Sequence, residues 1–103
     1  MSLTKLEKES KNYITRHLGV IAENVRRLRG KMTQVQFAQT AGISNSTLQK
    51  IEAGKSVELD NLLRVAKALN INPADLFLSD EDRNEITKIE NSTNIIRYKR
   101  TFG

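Results

Sequence analysis

A chain of 103 residues, 38% of them hydrophobic, suits one small domain with tails. Seventeen Lys and Arg against twelve Asp and Glu give a net charge of +5 and a pI near 9.7, a balance that favours a polyanionic partner. The sequence has no Cys, which excludes disulfides, thiol catalysis and cysteine-ligated metal, and it has no apolar run of about 18 residues that would span a membrane.

Residues 1–11 are mostly polar, lack the apolar stretch of a signal peptide and read as a flexible N-terminal segment. From about Lys11, Ile14, Leu18, Ile21, Val25 and Leu28 recur in steps of four and three, the spacing of one helical face. Gly30 follows a basic last turn and is placed to end this helix. Thr33 is the next N-cap, with Gln36 at the capping-box spacing, and Phe37, Ala38 and Ala41 form the buried face behind it. Gly42 supplies a positive-φ stop, Ile43 plugs the turn, and Ser44 caps a third helix running to about Ala53 with Leu48 and Ile51 inward. A fourth helix over Glu58 to Leu69 presents Leu59, Leu62, Leu63, Ala66 and Leu69 as its apolar stripe. Asn72-Pro73-Ala74-Asp75 then opens a short fifth helix holding Leu76 and Phe77. The expectation is all-α: a compact five-helix bundle over residues 12–78. A C-terminal extension, 79–103, follows, which serves dimerisation or partner binding or is disordered. In it Asp80 to Glu90 reads as a polar helix capped by Ser79, and Ile95 to Arg100 as a strand or a basic arm.

Thr33 to Gly54 spells two short helices joined by a tight turn, the layout of a helix-turn-helix. The second of these helices begins with Asn45, Ser46, Thr47, Gln49 and Lys50 facing outward. Short polar side chains let a helix sit deep in a groove about 12 Å wide. Asn pairs bidentately with adenine, Lys reaches guanine, and Ser and Thr donate or accept. The helix starts at Thr33 and Ser44 offer backbone N–H groups to phosphates. Taken singly, each of these residues is an ordinary solvated surface position; on this scaffold they form one face.

The runs N-V-R-R-L-R, M-T-Q-x-x-F-A-x-x-A-G-I-S-x-S-T-L-x-K-I-E-x-G-K, L-L-R-V-A-K-A-L and N-P-A-D-L-F resemble the lambda-repressor-like helix-turn-helix family over about Leu18 to Phe77. The resemblance implies base contacts from Asn45, Ser46, Thr47 and Lys50, and backbone contacts from Ser44 and Lys55, with Thr33 and Gln49 alongside. Gln34 matches a glutamine that binds a phosphate and braces a recognition-helix side chain. Arg27 and Glu52 match a pair that forms a salt bridge between the first and third helices, so Arg27 reads as structural. The chain departs from the family pattern at Glu58, where Ser, Thr or Asp is usual, and in carrying no Arg on the recognition helix.

Other motifs fail. Gly54-Lys55-Ser56 imitates the end of a P-loop, but the required Gly is Gln49. Asn91-Ser92-Thr93 is a chance sequon, and His17, the only histidine, reads as a helix-surface residue. No nucleophile, base and oxyanion donors converge, so no catalytic residue, cofactor or metal site is expected. The leading expectation is a cytoplasmic, nucleoid-associated regulator that binds double-stranded DNA as a homodimer on a pseudo-palindrome, with half-sites about 34 Å apart. With no room for a separate ligand domain, a monomer–dimer equilibrium is the default control. The alternative is an antitoxin or other protein-interaction module that also binds DNA, its partner held by the extension.

Overall fold

The computed structural model describes residues 4–91, which form five α-helices and one 3₁₀ segment and contain no strand. These are α1 (Lys5–Arg29), α2 (Gln34–Ala41), α3 (Asn45–Glu52), α4 (Leu59–Leu69), the 3₁₀ segment Pro73–Phe77 and α5 (Asp80–Glu90). The polar helix read from Asp80 to Glu90 is therefore present, and Ile95 to Arg100 lie outside the described residues.

Helix α1 begins at Lys5, six residues before the start expected near Lys11. Thr4 is its N-cap: the hydroxyl oxygen accepts from the Glu7 amide at 3.2 Å and the hydroxyl donates to the Glu7 carboxylate at 3.1 Å. No Gly or Pro interrupts residues 5–11, so the polar composition does not stop the helix. Its contribution to the core starts at Leu18. Ile14, expected on the inward face, stays exposed because α1 there has run past the body of the domain.

The core gathers Ile21 and Val25 of α1, Phe37, Ala38 and Ala41 of α2, Leu48 and Ile51 of α3, Leu62, Val65 and Ala66 of α4, and Leu76. Val25, Leu48, Ile51, Val65 and Leu76 are completely enclosed, each worth about 1.5–3 kcal/mol of apolar burial. Helix α1 packs on α3 and on the 3₁₀ segment, while α2 packs on α3 and α4. Ala38 has no side chain beyond Cβ, which suits the close approach of α2 to its neighbours.

Helix α4 is rotated relative to the expected stripe. It buries Leu62, Val65 and Ala66, half-buries Leu69 and leaves Leu59 and Leu63 exposed. Two neighbouring apolar lines run along this helix, and only the placement of α1, α2 and the 3₁₀ segment selects between them. Glu58 makes no side-chain capping bond, whereas Thr33, Ser44, Asn72 and Ser79 all do.

One buried polar residue closes the domain. Asn24 Nδ2 donates to the carbonyls of Leu76 and Leu78, both at 2.9 Å, and its Oδ1 accepts from Arg83 at 2.6 Å and from Arg27 at 3.3 Å. A single amide therefore satisfies carbonyls at the end of the 3₁₀ segment and ties α5 to α1.

Candidate nucleic-acid interface

The geometry of the interface starts at the turn. Gly42 adopts φ 72°, a left-handed conformation that costs other L-residues roughly 1–2 kcal/mol. Its amide donates to the Gln39 carbonyl at 3.2 Å and the Ile43 amide to the Ala38 carbonyl at 3.0 Å, the two bonds of a Schellman motif. Ile43 then packs against the core and Ser44 takes the extended conformation of an N-cap. Ser44 Oγ accepts from the Thr47 amide at 3.0 Å and its hydroxyl donates to Thr47 Oγ1 at 2.8 Å. At the start of α2, Thr33 and Gln36 complete a reciprocal capping box at 3.0 and 3.1 Å.

Helix α3 divides cleanly. Leu48, Ile51 and Glu52 are buried, while Ser46, Gln49, Lys50 and then Ala53 are exposed at spacings of three, one and three, one continuous outer stripe. Eight residues make α3 about 12 Å long, a length that fits within a major groove. Asn45 and Thr47 are half-buried on the flanks of the stripe. Asn45 Oδ1 is shielded from solvent without a hydrogen-bond partner, so this side chain must rotate to present its amide to a base edge. Lys55 is exposed just beyond α3, and its amide donates to the Lys50 carbonyl at 2.9 Å.

The inner end of α3 is anchored by charge. Glu52 meets Arg29, with Nε to Oε2 at 2.8 Å and Nη2 to Oε1 at 2.9 Å, and Gln34 Nε2 donates to Oε1 at 3.1 Å. Arg26 adds a bond from Nη1 to the Glu52 carbonyl. The hydrogen bonds and charge of Glu52 raise the Arg29 guanidinium above its ordinary, already high, value, so Arg29 keeps its charge. Glu52 is the only acidic residue between Thr33 and Val57. With its charge buried and paired, no exposed carboxylate of this segment opposes an approaching phosphate chain.

The partner of Glu52 is thus Arg29, which corrects the expected pairing with Arg27. Arg29 follows Val25 by four residues and Ala22 by seven, which sets it on the buried side of α1. Arg27 follows Val25 by two, pointing away, and its guanidinium turns to Asn24. The helical repeat contains this distinction; the motif match places the pair two residues early. Gln34 also meets Glu52 rather than a base-facing side chain of α3. Sequence reasoning does not single out Asn24, Arg26 or Arg83. The bonds that join them to distant segments span 26 to 59 residues, beyond the reach of any local pattern.

A family model described as helix-turn-helix matches residues 25–76, just over half of the 103 residues. The chain belongs to the lambda-repressor-like helix-turn-helix family of DNA-binding transcription regulators. The fold is also shared with a solved structure of a hypothetical transcription factor from Neisseria, at a TM-score of 0.64 and 22% identity, covering 72% of this chain and 86% of that one.

Proposed function

We propose that this helix-turn-helix protein is a sequence-specific transcriptional regulator that binds a pseudo-palindromic operator as a dimer, each copy laying α3 in the major groove. The observation that supports this reading is the outer stripe of α3. It is polar, narrow, free of acidic groups, flanked by the starts of α2 and α3, and held at its far end by the Arg29–Glu52 pair. Base reading falls to Asn45, Ser46, Thr47 and Lys50. Ser46 and Lys50 already face outward; Thr47, held by Ser44, offers a methyl group and a hydroxyl from the flank. Thr33, Gln34, Ser44, Gln49 and Lys55 set the register by phosphate contacts or by bracing. Bound at a promoter, such a dimer acts by occluding or recruiting polymerase. The Neisseria protein, titled a hypothetical transcription factor, is in keeping with this role.

Selection of duplexes from a randomised DNA pool near physiological salt tests the proposal. A palindromic consensus with half-sites one turn or a small multiple apart supports a specific dimeric regulator. Retention without enrichment of any sequence refutes the specificity and leaves a general, salt-sensitive DNA binder.

A further inference from the structure

Every residue from Thr4 to Arg16 is exposed, although all but Thr4 are helical. The first three turns of α1 thus stand clear of the domain. A free helix of this length is marginal in water, and polar residues on all sides would be its natural dress. Instead Leu6, Tyr13 and Ile14 stand 72%, 62% and 53% exposed on one side of it. Leu6, Ser10 and Ile14 form a single ridge at four-residue spacing. A shallow groove flanks that ridge on each side, one bordered by Glu7 and Lys11, the other by Glu9 and Tyr13.

We infer that this arm is the dimer interface, and that its occupant is the same arm of a second copy, running antiparallel with the two-fold axis beside Ser10. The inference rests on the dimeric reading above and assigns that dimer a surface. Ser10, small and central in the ridge, stands where the two helices cross most closely. About the axis at Ser10, Leu6 of one copy falls opposite Ile14 of the other. Glu7 and Lys11 lie on one flank, and an antiparallel pair brings like flanks together, so the order along that flank is Glu7, the partner's Lys11, Lys11 and the partner's Glu7, with one lysine for each acid. On the other flank Leu6 and Glu9 meet the ring and hydroxyl of Tyr13. The apolar stripe and the charges are therefore self-complementary in the same register. Fifteen residues, about 22 Å of helix, separate Ser10 from Val25 in the core. The joined arms consequently hold two DNA-binding bodies apart, and half-sites more than one turn apart follow.

The chain has no Cys, so one introduced thiol reports unambiguously. In the full chain, Ser10→Cys brings two thiols together across the axis and yields a disulfide dimer under mild oxidation. Asn12→Cys, on the opposite face of the same arm, forms no disulfide cross-link under the same conditions. In sedimentation, Ser10→Arg weakens association at least tenfold, while its far-UV circular dichroism at high dilution matches the parent. Equal cross-linking of the two Cys variants, or a dimer untouched by Ser10→Arg, overturns the inference and leaves the dimer on another face. A parent protein that stays monomeric both alone and on its selected DNA overturns the inference and the dimeric reading together.

Discussion

Replacing Arg29 with Ala tests how the recognition helix is held. Glu52 is 4% exposed at its side chain and receives two hydrogen bonds from Arg29 and one from Gln34. In Arg29→Ala the carboxylate keeps only the neutral Gln34 amide and remains an enclosed charge. Breaking a buried pair from one side costs about 3–5 kcal/mol. The Arg29 side chain is itself 18% exposed, so water partly rehydrates the orphaned acid and the lower end, about 3 kcal/mol, applies. For a domain of this size such a loss lowers Tm by about 12–24 °C. Glu52→Ala costs less, because the released guanidinium reaches solvent. The double substitution therefore falls short of the sum of the single ones by about 1–2 kcal/mol. Arg27→Ala, the comparison that matters, stays within about 0.5 kcal/mol of the parent. Urea unfolding followed by far-UV circular dichroism reads all four proteins. A larger loss for Arg27→Ala than for Arg29→Ala, or additivity within error in the cycle, refutes the reasoning.

Three further outcomes follow from the structure. Asn45→Ala and Lys50→Ala each change base preference, by about 1–3 kcal/mol where the side chain makes a well-aligned bond to a base edge, whereas Gln34→Ala weakens all duplexes evenly; competition binding on single-position variants of the selected site separates the two patterns. Asn24→Ala strands the carbonyls of Leu76 and Leu78 and frees Arg83, a loss of about 2–3 kcal/mol in denaturant unfolding, with amide exchange in α5 rising more than in α2. Acid loosens the start of α5. The Ser79 amide, then the Ser79 hydroxyl, hold the Asp82 carboxyl below the usual aspartate range. A depressed carboxylate contributes stability that is present above its unfolded value, about 3.9, and is lost as pH falls through its lower folded value. Protection factors of amides in the first turn of α5, taken against the intrinsic exchange rate at each pH, should therefore fall below about pH 4 and hold steady from pH 5 to 8, and Asp82→Asn should remove that acid step; a step near neutrality would contradict the assignment.

Interactions confined to one turn of chain are legible in the residues themselves. The Thr33–Gln36 box, the Ser44 cap, the left-handed Gly42 and the Ser79 cap each join groups no more than a few residues apart, so chain connectivity alone brings the partners together. The core stripe of α1 from Leu18 onward and the inward pair Leu48 and Ile51 follow from the helical repeat in the same way. The outward stripe of α3, which carries the proposed DNA contacts, is simply the other half of that pattern. The three-dimensional packing decided everything that joins distant segments. It chose Arg29 over Arg27 for Glu52, seated Asn24 between the 3₁₀ segment and α5, and turned Val65 rather than Leu63 toward the core. It also left Leu6, Tyr13 and Ile14 outside, because apolar periodicity states that a helix has an apolar face but not what lies against it.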